Sequence, residues 1–158
     1  MATALHNLSA YDDATLPDVS HCRFGLVVAD WNAELTGALA QGAAETLERH
    51  GVRPENVTVL RVPGSFELTF GAQRLARRPE IDAVICLGVV IRGDTKHDDY
   101  INHAVAQGLT TVSLTYDKPV VFGLVTTNDL PQAVDRCGGR HGNKGVEAAV
   151  TAIRLLGL

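Results

Sequence analysis

The run Ala83–Ile91 (AVICLGVVI) constrains this chain more than any other stretch, because it is apolar from end to end with no alternation. A half-exposed strand or an amphipathic helix would show a polar face, so the run reads as a strand covered on both sides, the centre of a parallel sheet. Three further apolar runs resemble it: Arg23–Ala29, Val57–Val62 and Pro119–Val125. Helical spacing fills the gaps. Leu35, Leu39, Ala43 and Leu47 mark one face of a helix over Ala33–His50, with Gly51 where a C-terminal cap belongs. Phe66–Arg78 predicts a helix stopped by Pro79, with Ser65 as a candidate N-cap. Ile101, Val105, Leu109 and Val112 predict a third helix beginning near Asp99. Thr127-Asn128-Asp129 offers caps to a short helix ending at Cys137, Gly138-Gly139 breaks it, and a last helix runs from Lys144 to Leu155.

Strand and helix thus alternate four times without a linker or a repeat, which predicts one α/β domain. The expected form is a three-layer sandwich, flavodoxin-like, with a mainly parallel four-stranded sheet flanked by helices. A length of 158 residues suits one such domain over 21–158, preceded by an arm over 1–20. The arm holds Asp12, Asp13 and Asp18 with no Lys or Arg and no long apolar core, so it reads as neither a secretory signal nor a transit peptide. It is expected to be loose or docked on a neighbour. No apolar run is long enough for a bilayer, and the cytoplasm is the expected compartment. Cys22, Cys86 and Cys137 are widely spaced with no CxxC, which predicts core thiols rather than a disulfide framework or a zinc site. With 14 Lys+Arg against 18 Asp+Glu, the net charge of -4 argues against a nucleic-acid partner.

Ligands of open parallel sheets collect at the carboxyl ends of the strands, here the loops starting at Asp30, Pro63, Arg92 and Thr126. Trp31 has a flat ring suited to stacking on a planar heterocycle, or to half-burial in the core. Arg92–His97 joins a glycine, the Thr95 hydroxyl and backbone N–H groups near a helix start, a combination that can cradle a phosphate. It is not a Walker loop, and no G-x-G-x-x-G occurs, so ATP and NAD gain no support. His97 at the mouth of such a loop suits proton transfer, or is a solvated surface histidine. Arg136 and Lys144 flank a glycine-rich turn and form a small positive cluster that suits one phosphate monoester, or serve as ordinary helix-end cations. His6, His21, His50, His103 and His141 show no ligand spacing, no metal site is expected, and no serine lies in a G-x-S-x-G elbow.

Four motifs occur in order: Pro63-Gly64-Ser65-Phe66-Glu67, Gly88 to His97 (GVVIRGDTKH), Pro119-Val120-Val121-Phe122-Gly123 and Gly142-Asn143-Lys144-Gly145. Together they resemble the 6,7-dimethyl-8-ribityllumazine synthases, from about Arg23 to Leu156. The resemblance implies a cytoplasmic transferase of riboflavin biosynthesis that needs no cofactor. It condenses 5-amino-6-(D-ribitylamino)uracil with 3,4-dihydroxy-2-butanone 4-phosphate and releases phosphate and water. It implies that Trp31, with Asn32 beside it, stacks on the pyrimidine, that Ser65, Phe66 and Glu67 hold the ribityl chain, and that the backbone of Val89, Val90 and Ile91 reads the ring edge. Asp94, through its N–H, Thr95 and Arg136 would bind the phosphate, His97 would move protons, Lys144 would support the phosphate region, and Glu147 would orient Arg136. Phe122 would close the site from an adjacent subunit. The implied partners are the small-molecule substrates, copies of the chain itself in homopentamers that pack twelve at a time into an icosahedral shell, and riboflavin synthase. The short segment between Arg136 and Asn143 matches shell-forming members. Two positions depart from the family pattern: Asp98, where an aromatic is usual, and Asp94, a carboxylate beside the phosphate site. The rival readings are a non-catalytic container for flavin or lumazine, and a response-regulator-like domain, for which only Asp30 stands at the first strand end.

Overall fold

Four strands form one wholly parallel sheet in the order β2-β1-β3-β4: β1 Phe24–Ala29, β2 Val57–Val62, β3 Ala83–Ile91 and β4 Val120–Thr127. The structure is a computed structural model and describes residues 7–158, so His6 and the start of the arm lie outside the described residues. The apolar run Ala83–Ile91 is an inner strand, as expected, and every residue of it but Ile91 is buried. Its missing alternation follows from the layers on both faces. On one side Phe24, Leu26 and Val28 meet α1 (Ala33–Arg49) and α5 (Lys144–Leu155) through Leu39, Leu47, Ala149 and Ile153. On the other, Val27 and Ala29 share a core with Leu68 and Leu75 of α2 (Leu68–Ala76) and Leu109 of α3 (His97–Tyr116).

Helix ends follow local chemistry. Gly51 takes φ 83° just past α1 and its N–H donates to the Glu48 carbonyl at 2.9 Å, the expected left-handed stop. Asn143 caps α5, accepting from the Gly145 N–H at 2.8 Å. Gly145 itself lies so close to α1 that a Cβ there would overlap the Leu39 carbonyl oxygen.

Several boundaries differ from the sequence reading. α3 begins at His97 rather than near Asp99, because its first turn is polar and invisible to apolar spacing. α2 begins at Leu68, and Ser65 is not its cap: the Ser65 hydroxyl donates to the Val89 carbonyl at 3.4 Å instead. The short helix α4 (Leu130–Arg136) is capped by Asp129, which accepts from the Gln132 N–H at 2.9 Å. Beyond it the glycines do more than break the helix, since β5 (Cys137–Gly139) and β6 (Gly142–Asn143) pair as a small antiparallel hairpin. From residue 7 onward the arm rests on its own chain. The Leu8 N–H donates to His141 O at 2.8 Å, the Ser9 hydroxyl accepts from the Asn143 N–H at 2.9 Å, and Val19 is buried.

Cys22, Cys86 and Cys137 are free and buried. Burial pushes all three thiols up, that of Cys137 to about 11, which leaves them protonated near neutral pH. No helix among the described residues is long and apolar enough to cross a membrane.

Candidate active site

In the order β2-β1-β3-β4 the connections after β1 and β3 leave toward opposite ends of the sheet, which opens a crevice at their carboxyl ends. A cavity of about 700 Å³ lies among these strand ends. Trp31 and Asn32 line it from the loop after β1, and Gly64, Ser65, Phe66 and Glu67 from the loop after β2. Val89, Val90 and Ile91 line it from the end of β3, followed by Gly93 and Thr95. His97, Asp98 and Ile101 close it from the start of α3.

One carbonyl ties the loops together. Val89 O accepts from Asn32 Nδ2 at 3.1 Å and from Ser65 Oγ at 3.4 Å. Gly88 makes this possible, since a Cβ there would come within 2.7 Å of Ser65 Oγ. Asn32 holds φ 62° and ψ 45°, a left-handed conformation that asparagine tolerates, and so turns the chain into α1 with its amide aimed at β3. The β1–β2 ladder continues past both strands: Asp30 N–H donates to Val62 O at 2.8 Å and Trp31 N–H to Pro63 O at 3.0 Å. Trp31 is thereby held beside the Gly64–Glu67 turn.

Trp31 is 73% exposed and Phe66 57%, so the indole is not the half-buried core aromatic that the sequence also allowed. Both rings offer open apolar faces at the cavity, which suits a planar heterocycle. Three titratable side chains, Glu67, His97 and Asp98, share the same wall. Lys96 precedes α3 without a side-chain cap bond, so the first N–H groups of this helix are open to an anion beside Gly93 and Thr95.

The remaining expected site residues do not line the cavity of their own chain. Asp94 is exposed on the loop. Phe122 stands on the edge strand β4, 37% exposed. Arg136 ends α4, its Nη1 donating to Gln132 O at 3.0 Å. Lys144 opens α5 with its Nζ donating to Glu147 Oε1 at 2.6 Å. The loop after β4 therefore stays apart from the three that meet. Gly93, the glycine of the expected phosphate loop, lines the cavity, and so do Gly64, Asp98 and Ile101, to which sequence reading gave no ligand contact. Asp98 and Ile101 could have been found together, being three residues apart at the head of the buried stripe of α3. Among the described residues no group of His, Cys, Asp and Glu side chains gathers as metal ligands would.

A family described as 6,7-dimethyl-8-ribityllumazine synthase matches residues 21–158. A protein of that name from Parabacteroides distasonis is 59% identical over 156 residues, covering 99% of this chain and 98% of its own. Similar proteins of the same name come from Phocaeicola vulgatus, 51% identical over 99% of this chain and 93% of its own, and from Cytophaga hutchinsonii, 51% identical over 99% and 98%. With the four motifs in register and the match running through every strand and helix of the domain, the chain belongs to the 6,7-dimethyl-8-ribityllumazine synthase family.

Proposed function

We propose that this protein condenses 5-amino-6-(D-ribitylamino)uracil with 3,4-dihydroxy-2-butanone 4-phosphate to give 6,7-dimethyl-8-ribityllumazine, phosphate and water, in the cytoplasm. The observation that carries the reading is the meeting of Trp31, Glu67 and His97, from three separate segments, around one cavity in a member of this family. Trp31 stacks on the pyrimidine, with Asn32 and the Val89–Ile91 backbone at the ring edge. Ser65, Phe66 and Glu67 hold the ribityl chain, Glu67 accepting from its hydroxyls. The phosphate lies at the Gly93–Thr95 turn and the start of α3, where the N–H of Asp94 and the Thr95 hydroxyl donate to it.

Both substrates are reactive by themselves, so holding them in register supplies most of the rate and proton transfer by His97 adds a smaller factor. His97→Ala is expected to lower kcat by roughly 10²-fold without abolishing turnover. Steady-state kinetics would check this, and a folded, assembled variant with no activity at all would refute the division of labour. The activity itself is tested by adding the purified protein to both substrates and following lumazine absorbance and fluorescence above the spontaneous background. An unchanged background rate would remove the enzyme reading. Riboflavin synthase, which consumes the lumazine, is the protein partner this role brings with it.

Arg136, Phe122 and Lys144 serve the cavity of a neighbouring copy: Arg136 grips the phosphate, Lys144 supports that region and Phe122 covers the pyrimidine. Two features support this. None of the three lines its own cavity, and exposed apolar side chains lie both on the α2–α3 side (Phe66, Phe70, Leu114) and on α4 (Leu130, Val134). Two different patches joined head to tail make a heterologous contact, which closes into a ring where the rotation between copies permits. The ring proposed is a pentamer, and the short turn between Arg136 and Asn143 favours packing of twelve pentamers into a shell. Light scattering of the purified protein is expected to give the mass of the shell; particles of pentamer mass would limit assembly to the ring, and a monomer would contradict shared sites.

A further inference from the structure

Of the three titratable side chains on the cavity wall, Glu67 and His97 have roles in the reaction above, and Asp98 has none. Its position is unusual for a carboxylate. Counting back along α3 from the buried Val112, Leu109 and Val105 through the partly buried Ile101, Asp98 is the next member of the same stripe. An otherwise apolar face thus ends in a half-buried anion that lines the cavity with Ile101. Among the described residues the Asp98 side chain has no hydrogen-bond or ion-pair partner, unlike the cations Arg61, Arg78 and Lys144, each of which has an acid beside it. The ligand such a group takes is an N–H donor, best one that carries or acquires positive charge.

We propose that Asp98 is a second substrate-contacting group of this cavity, one that accepts a hydrogen bond from the reacting amine and stabilises the cationic nitrogen formed on the way to the imine. This rests on the reading of the cavity as a site of amine–ketone condensation. In that step the amine nitrogen forms a bond to the carbonyl carbon, the carbonyl π pair moves to oxygen, and a proton passes from nitrogen to that oxygen. Departure of water, with a second proton given to the oxygen by the imidazolium of His97, leaves an iminium whose N–H points to Asp98. The imidazole so formed, one residue earlier on α3, then takes the nitrogen proton to give the neutral imine and is itself restored. Asp98 accepts the N–H hydrogen bond and exchanges no proton in the step, while His97 moves the proton.

Binding separates this role from a structural one. The full-length assembled protein is titrated by calorimetry with 5-amino-6-(D-ribitylamino)uracil and with its 5-nitro counterpart, which keeps the ring and side chain but has only acceptors where the amine has donors. Loss of the Asp98 charge in Asp98→Asn is expected to weaken the amino compound about tenfold and to leave the nitro compound equal or tighter, so that the preference between them falls by at least about tenfold. kcat is expected to fall by a similar factor. Asp98→Ala, read by the same ratio, covers any disturbance of α3 by the amide. A preference within about twofold of wild type in both variants, with both compounds still bound, overturns the role of Asp98 and leaves the cavity reading standing. Failure of the unmodified protein to bind either compound overturns the cavity reading, and the role of Asp98 with it.

Discussion

Arg136→Ala is expected to raise the KM for 3,4-dihydroxy-2-butanone 4-phosphate roughly 10- to 100-fold and to slow turnover, while binding of the pyrimidine substrate stays near wild type. A guanidinium on a phosphate makes charge-assisted hydrogen bonds, and losing it leaves the anion to the Gly93–Thr95 turn and the helix start alone. Arg136 lies in the last turn of α4 and does not line the cavity of its own chain, so under the proposed shared site the effect is expected in another copy's cavity. A hybrid decides the point. When Arg136→Ala chains are co-refolded with Glu67→Ala chains, about a quarter of the interfaces in a random assembly join an intact Glu67 to an intact Arg136. Activity well above that of either parent assembly is expected. No recovery in mixed assemblies would mean that the two groups do not belong to one shared site.

Gly145→Ala is expected to destabilise the fold by about 3 kcal/mol, lowering the thermal midpoint by about 10 °C. The added methyl would overlap the Leu39 carbonyl oxygen, and Asn143 Oδ1 lies only 3.0 Å away on another side, so neither neighbour can yield without moving α1 against α5. Those two helices carry Leu39, Ala149 and Ile153, and with them one face of the core. Gly37→Ala is the matched control. It lies inside α1, as Gly145 lies inside α5, but nothing stands within 4 Å of its Cβ position, and alanine there is expected to stabilise by about 0.5–1 kcal/mol. Equal midpoints for the two variants would show that α1 and α5 pack less tightly than described.

How much of this was legible beforehand depends on what fixes each part. β2, β3 and α5 fall where the sequence places them, because apolar runs and punctuating residues such as Asn143 are local signals. The start of α3 was missed since His97 and Asp98 are polar and only the apolar members of its stripe reveal the period. Ser65 reads as a cap because Ser before a helix usually is one; its actual partner is Val89, 24 positions away, which no local pattern encodes. The topological rule for parallel sheets locates the loops after β1, β2 and β3 at one cavity, but it also points to the loop after β4, which does not join them. Under the shared-site reading proposed for Phe122, Arg136 and Lys144, these residues act on another copy, and such residues leave no mark in the geometry of a single chain.

The single oxygen that receives both Asn32 and Ser65 works as a keystone for the mouth of the cavity. Through it the segments after β1 and β2 are both fastened to the end of β3, so they stand as parts of one collar rather than as two separate flaps. A molecule arriving there meets a recess already shaped for it, and little of its binding energy is consumed in arranging the walls.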